Sequence, residues 1–305
     1  MKIAVVICTK DRPADLNQCL VSLAIQDYPL CELVIVDASE SDATRRLVKG
    51  FDMPHGPSIE YISSPRGLTL QRNTGIRRLR SEPDVVCFLD DDVEIEPGYL
   101  RNVARKFEAD TEGRILGVCG NAANEKPRGI FDRMVRNLFM ITDNRSGKIL
   151  PSGDGGHIYS PRRDETVAVL SGCNMCYRRE VFTQYGLAFD EVLTGYAFME
   201  DHDFSFRVSK YGGLVQLADA RLVHHVSPVS RPALRDLFEN YIIHSFYIFR
   251  KNHSPQPFEY LCYGWRLVGK FLQAFQLTLK SRSVFPLSGW ISGLLRIRKL
   301  VKRVD

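Results

Sequence analysis

Through the first 120 residues, short continuous apolar runs alternate with stretches whose apolar residues recur every three or four positions. The runs at 3–8, 33–36 and 85–89 are short and apolar, which predicts buried strands, and 59–63 and 115–119 read as further strands. Between them, Pro13 opens a helical stripe of Leu16, Cys19, Leu20, Leu23 and Ala24. Ser41-Asp42 caps a short helix ending near Gly50, and another helical stretch opens at Gln71-Arg72-Asn73. Pro97 precedes a fourth, with Leu100, Val103, Ala104 and Phe107 on one face. Strands alternating with helices of this length predict a mostly parallel α/β sheet covered on both faces. Such a sheet binds ligands at the carboxyl ends of its strands.

The pattern loosens between 124 and 164, where Ser152-Gly153-Asp154-Gly155-Gly156-His157 is rich in turn formers. A long irregular excursion of this kind suits a lid or acceptor loop. Further strands are predicted at 167–170 and 214–218, and a helix at 178–184. From Leu234 the texture becomes helical throughout. Leu237, Tyr241 and Ile242 open one stripe; Leu261, Trp265, Val268 and Leu272 form a second; Leu287, Trp290 and Leu294 form a third. The expected division is a catalytic unit over 1–230 and an amphipathic helical region over 231–305.

Charge sharpens the reading of that region. Residues 266–305 hold nine Lys/Arg against one Asp, so the rest of the chain is net acidic although the whole carries +5. Aromatic helices flanked by cations suit a membrane interface, with packing on the core or a dimer contact as alternatives. No run approaches the ~18 apolar residues of a spanning helix, and no secretory leader is evident. The eight cysteines are scattered through apolar runs and read as reduced. Cys173 and Cys176 have CxxC spacing without a second ligand pair at zinc spacing. The expected location is therefore the cytoplasm, with peripheral attachment to the inner face of the cell membrane.

Two acidic clusters carry the candidate chemistry. Leu89 runs into Asp90-Asp91-Asp92, and strand alternation puts Asp90 and Asp92 on one side. Two carboxylates at a strand end repel unless a cation lies between them, and hard oxygen ligands suit Mg²⁺ or Mn²⁺. The alternative is a solvated acidic turn capping the next helix. The second cluster, Glu200-Asp201-His202-Asp203, opens a short helix, where carboxylates also serve as ordinary caps. Thr9-Lys10-Asp11-Arg12, Asp37 and Asp90–Asp92 all fall at predicted strand ends, which gathers polar groups on one rim.

The ordered set Thr9-Lys10-Asp11-Arg12, Val36-Asp37-Ala38-Ser39, Arg72-Asn73-Thr74-Gly75, Leu89-Asp90-Asp91-Asp92, Gly172-Cys173-Asn174, Met199-Glu200-Asp201 with Arg207, and His225 resembles the inverting family 2 glycosyltransferases. It spans roughly the first 230 residues. The resemblance implies a GT-A fold, a Rossmann-like nucleotide-diphospho-sugar transferase with a mixed, mostly parallel sheet. It implies a nucleotide-diphosphate sugar donor, Mn²⁺ or Mg²⁺, and a glycan acceptor; the basic aromatic tail motivates a lipid-linked acceptor of the kind used for cell-surface polysaccharide. Carried over by position, Thr9, Arg12, Asp37, Arg72, Asn73, Asp90 and Asp91 would contact the donor. Asp92 and His225 would hold the metal, with His225 preferred to His224 because of the spacing His225-x-x-Pro-x-Ser. Asp201 would be the catalytic base, with Gly172, Cys173, Asn174, Glu200 and Arg207 around the acceptor. The turn Ala38-Ser39-Glu40-Ser41 departs from the family's usual Gly-Ser after the aspartate. A homo-oligomer would suit the amphipathic tail, and no nucleic-acid partner is expected. Rival readings are a nucleotidyltransferase, which lacks its glycine-rich phosphate loop here, and a non-catalytic sugar-nucleotide-binding scaffold. A dehydrogenase is disfavoured because no GxGxxG follows the first strand.

Overall fold

The computed structural model describes residues 1–301 apart from 55, 230 and 231. The expected boundary at 230/231 and the cations at 302 and 303 therefore lie outside the described residues.

The first half alternates strand and helix: β1 (Ile3–Thr9), α1 (Pro13–Ala24), β2 (Leu30–Asp37), α2 (Ala43–Gly50), β3 (Ile59–Ser63), α3 (Leu68–Arg78) and β4 (Val85–Asp90). A tight turn leads into β5 (Val93–Ile95), followed by α4 (Tyr99–Ala109), β6 (Ile115–Ala122) and α5 (Ile130–Leu138). Next come β7 (Glu165–Thr166), β8 (Asn174–Arg178), α6 (Glu180–Thr183), α7 (Glu200–Val208) and β9 (Gly213–His224). Three long helices finish the chain: α8 (Leu234–His253), α9 (Pro257–Ser281) and α10 (Phe285–Val301).

Among the described residues, these strands form one mixed sheet in the order β3-β2-β1-β4-β8-β6-β9-β5, with β7 added on β9. β3, β2, β1 and β4 run parallel, as do β6 and β9, while β8 is antiparallel to both β4 and β6. Strand alternation sorts the side chains onto two faces. Val5, Ile7 and Ile35 pack with Leu16 and Leu20 of α1 and Val103 and Phe107 of α4. Val6, Val34, Val36 and Phe88 pack on the other face with Ile76 of α3 and Phe204 and Val208 of α7. Register aligns the parallel strand ends: Thr9 lies beside Asp37, and Cys8 beside Asp90. The rim expected from the sequence is thus a physical edge.

Three expectations need correction. Residues 167–170 are not a strand; Val167 and Leu170 are buried in the core, so their apolar run reflects burial rather than pairing. The helix expected at 178–184 is present but shorter, because Arg178 ends strand β8 and α6 covers Glu180–Thr183. The excursion 124–164 contains α5, whose Ile130, Phe131, Met134 and Leu138 face outward, so its apolar stripe marks no core contact.

The C-terminal helices are docked on the sheet unit. Ile242 and Ile248 of α8 share a cluster with Leu193, Ala197 and Met199. Asp203 of α7, fully buried, accepts from Arg207, from Lys251 Nζ at 2.7 Å and from Asn252 Nδ2 at 3.0 Å. α9 packs so tightly on the end of α5 that a Cβ at Gly269 would lie 2.5 Å from Phe139 Cβ. Asp203→Ala strands buried donors from α7 and α8 and is expected to cost about 3–5 kcal/mol. Urea unfolding at pH 7 measures it, and a loss below about 1 kcal/mol, the range of exposed ion pairs, would contradict this bracing.

Candidate active site

An open cleft of about 500 Å³ runs along the carboxyl edge of the parallel strands. Residues from β1, β4, the 171–173 turn, the start of α7 and the end of β9 line it. The α5 region, α8 and α9 close its far end.

The aspartate triplet is split by the β4–β5 turn. Asp91 turns inward: its Oδ2 accepts from Thr9 Oγ1 at 2.7 Å and its Oδ1 from Arg12 Nη1 at 3.1 Å. Burial pushes Asp91 up to about 7, against the pull of Arg12 and Thr9. Arg12 also donates through Nε and Nη2 to the Val229 carbonyl, at 2.9 and 2.6 Å. Thr9 and Arg12, expected at the donor, are thus committed to bracing the acidic turn, although both line the cleft.

Asp90 and Asp92 remain, and His224 joins them. One ligand atom from each lies within 4.8 Å of the others. His224 Nε2 stands 3.3 Å from Asp92 Oδ1, which is buried without a hydrogen-bond partner. Asp92 Oδ2 accepts from the Ser227 amide at 2.8 Å. Burial would push Asp92 up, but the nearby His224, the Ser227 amide and Arg12 draw it down to about 2. His224 moves oppositely: burial lowers it, yet Asp92 raises it to about 11. A proton on His224 thus balances charge where a divalent cation could do so instead. Two carboxylates and an imidazole around an orphaned buried oxygen fit a divalent metal. His225, expected as the metal ligand, is not among the three grouped residues. It follows His224 at the end of β9, and its ring points away to Glu94 Oε2 at 3.1 Å. Successive side chains on a strand face opposite sides, so only one of the pair can turn to the cluster.

The second acidic pair is divided in the same way. Arg72, almost fully buried, binds Glu200 through Nη1 and reaches the Gly172 carbonyl at 2.9 Å and Asp90 Oδ1 at 3.4 Å through Nη2. Burial pushes Glu200 up against the pull of Arg72. Asp201 faces the cleft; its Oδ2 accepts from the Gly172 amide at 3.2 Å and its Oδ1 from the His202 amide at 2.8 Å. The chain enters α7 through left-handed Ala197 (φ 49°) and Met199 (φ 68°), a strained approach typical of positions where side-chain placement matters. At Gly172 a Cβ would meet Asp201 Oδ2 at 3.1 Å and Glu200 Oε1 at 3.3 Å, so a side chain there would press the two carboxylates back by a few tenths of an ångström.

Other expected residues are elsewhere. Asp37 is buried outside the cleft lining, accepting from Ser39 and from Tyr61 Oη at 2.7 Å. Asn73 braces the backbone of Phe189 and reaches Glu191. Asn174 is fully buried, its Oδ1 accepting from Tyr99 and the Gly120 amide. Arg207 pairs with Asp203 and the Ala188 carbonyl. Cys173 lines the cleft and, like the other seven cysteines, is a free thiol. The sequence reading missed Gln71, which lines the cleft and ties the Thr9 and Val36 carbonyls together. It also missed Tyr241 and Lys270, which reach the cleft from helices read as a separate region.

The family model for Glycosyl transferase family 2 matches residues 4–186. Glycosyltransferase GlyA of Streptococcus pneumoniae serotype 4 is 32% identical over 195 residues, covering 62% of this chain and 26% of that protein. EpsH of Bacillus subtilis strain 168, named as a glycosyltransferase, is 25% identical over 74% of this chain and 61% of its own length. The chain therefore spans less than two thirds of these relatives. Among solved structures, S. aureus TarS 1-349 in complex with UDP-GlcNAc superposes with a TM-score of 0.60 at 16% identity, over 96% of this chain and 80% of that one. The mannosyltransferase PcManGT from Pyrobaculum calidifontis, in complex with GDP-Man and Mn²⁺, gives 0.59 at 14% identity over 97% and 86%. The fold is the expected GT-A arrangement, and the chain belongs to glycosyl transferase family 2.

Proposed function

We propose that the protein moves a sugar from a nucleoside-diphosphate donor to a hydroxyl of a glycan acceptor, with inversion at the anomeric carbon. The observation carrying this reading is the pairing, in one cleft, of the Asp90/Asp92/His224 cluster with the separately held carboxylate of Asp201. A cation at that cluster, Mn²⁺ or Mg²⁺, would be held by those three residues and would neutralise the diphosphate as it leaves. Solved neighbours bound to UDP-GlcNAc and to GDP-Man with Mn²⁺ support the donor class and the metal.

The chain's own residues do the rest. Two backbone amides fix Asp201 at the helix entrance, so it can take the acceptor proton as the hydroxyl attacks. Glu200 is taken up by Arg72, which leaves Asp201 as the base. A single displacement, with acceptor and leaving group on opposite sides of the anomeric carbon, inverts configuration. Holding both partners on one rim supplies the orientational part of the catalysis.

The acceptor is proposed to be lipid-linked, with the protein peripheral on the inner face of the cell membrane. Among the described residues, no helix is long and apolar enough to cross a membrane. Instead, α5 exposes Phe131 and Met134 while α9 exposes Leu261, Trp265 and Leu272. The two helices meet where Trp265 Nε1 donates to the Leu138 carbonyl at 2.7 Å. A joint apolar surface on a chain whose last forty residues are basic in sequence suits an anionic lipid interface.

Asp201→Asn should lower transfer about 10²–10⁴-fold, the usual worth of a general base, while nucleotide-sugar affinity in calorimetry changes little. Full turnover by that variant would remove the base assignment. His224→Ala should weaken Mn²⁺-dependent UDP binding by at least about tenfold, whereas His225→Ala should bind as the parent does. The reverse order would restore His225 to the site. In sedimentation with anionic vesicles, the parent should pellet and the double variant Phe131→Glu/Leu272→Glu should stay in solution. Equal pelleting of the two would locate attachment elsewhere.

A further inference from the structure

At the end of the cleft away from the acidic cluster, the lining becomes cationic. Arg128 stands just before α5, Arg136 on it, and Lys270 on α9. Behind them Arg266, fully buried, reaches Asp154 Oδ1 at 3.3 Å through Nη1. Its Nε and Nη2 are buried with no hydrogen-bond partner among the described residues. The Tyr241 hydroxyl, in the cleft wall, is likewise buried without a partner. Lys270 Nζ rests 4.4 Å from the centre of the Tyr241 ring and has no hydrogen bond or ion pair among the described residues. Arg128 is paired with Asp132 at 3.5 Å, which leaves Arg136, Arg266 and Lys270 around a single carboxylate, Asp154, at the inner wall. Native interiors seldom leave so many donors unsatisfied and so much like charge uncompensated without a ligand to meet them.

We propose that this end of the cleft is an anion subsite that takes a phosphate or diphosphate group of the acceptor, with Lys270 and Arg136 as its principal contacts. The proposal rests on the glycosyltransferase reading above and adds the acceptor's chemical class. The helix geometry favours it independently. α9 turns Arg266 and Lys270, one helical step apart, toward the cleft and turns Trp265, Val268 and Leu272 outward. Arg136 sits on α5, which likewise exposes Phe131 and Met134. The same two helices thus join a cationic pocket to an apolar outer surface, the pattern that a phosphate carried on a lipid would meet. Electrostatics agree with an incomplete site. Burial draws Lys270 down to about 8, with Arg136, Arg266 and Arg128 pushing the same way and Asp154 opposing. Burial also lowers Arg136, with Arg128 adding to the effect. Tyr241 of α8 completes the groups that face Lys270. An arriving anion would reverse this and return the proton to Lys270.

The test is calorimetric titration of the full chain with inorganic pyrophosphate and, in parallel, farnesyl diphosphate, in metal-free buffer at pH 8. Tris and HEPES are compared so that proton transfer can be separated from binding heat. The parent should bind with uptake of up to about half a proton, since a group with a pKa of about 8 is half protonated there. Lys270→Met and Arg136→Gln should each bind at least about tenfold more weakly, each removing a charge-assisted contact, and Lys270→Met should lose the proton uptake. Lys270→Arg keeps the charge and should keep binding. Equal affinity for the two probes assigns recognition to the phosphates alone, and tighter farnesyl diphosphate binding assigns the excess to a lipid tail. Affinity and proton uptake unchanged in Lys270→Met, or no binding by the parent, would overturn the subsite. UDP affinity with Mn²⁺ is measured in the same proteins. Its absence in the parent counts against the glycosyltransferase reading, while its retention in the variants ties their loss to the anion subsite.

Discussion

Four carboxylates, Asp90, Asp91, Asp92 and Glu200, converge at one edge of the sheet, and most of the surrounding architecture exists to hold them there. Ligand atoms of Asp90 and Asp92 lie within 4.8 Å of each other. At an effective dielectric of about 20, two unit charges at that distance repel by at least roughly 3 kcal/mol. The fold meets this with cations placed from distant parts of the sequence. Arg12 follows β1, Arg72 lies within α3, and His224 ends β9. Each needs the sheet register to reach its carboxylate, so the site cannot form before the sheet does.

The two acidic motifs resolve this repulsion by the same division of labour. In each, one carboxylate is spent on an arginine of the cleft wall and its neighbour is left facing the cleft. Asp91 is held by Arg12 and Thr9, which frees Asp90 and Asp92 to approach His224. Glu200 is held by Arg72, which frees Asp201. Arg72 also reaches Asp90, so one guanidinium links the metal-type cluster to Glu200, the acid next to the base-type carboxylate. The residues that look redundant in the sequence, a third aspartate and a second acid, are the ones that anchor the others.

This explains what could be read from the chain and what could not. Strands β1, β2 and β4 and helices α1 and α4 were legible because each buries a clean apolar stripe or run. β8 was hidden because Asn174 and Arg178 bracket a mixed segment whose strand character comes from β4 and β6 on either side. The acidic clusters were legible because three adjacent aspartates have few other uses. Their division was not, since it depends on Arg12 and Arg72 arriving through the fold. Asp37, Asn73 and Arg207 carry the right residue types in the right order, yet bond to Tyr61, Phe189 and Asp203. A polar residue near a site in sequence and one in its wall look alike until side-chain direction is known. The choice between His224 and His225 turned on that direction alone.

The C-terminal helices are where the sequence and the structure part most. Their aromatic, basic texture suggested an amphipathic region apart from the catalytic unit and suited to a membrane interface. In the fold they are part of the cleft: α8 supplies Tyr241, α9 supplies Lys270, and Lys251 and Asn252 satisfy Asp203 beneath the α7 entrance. Deleting residues 255–305 would strip out Arg266, Lys270 and the packing of α9 on Phe139 together with every exposed aromatic of α9 and α10. Loss of membrane binding after such a deletion would not separate lipid contact from collapse of the acceptor end. Point substitutions on the outward face of α5 and α9 leave the inward cations in place. They are therefore the changes that can distinguish a surface that meets lipid from one that shapes the site.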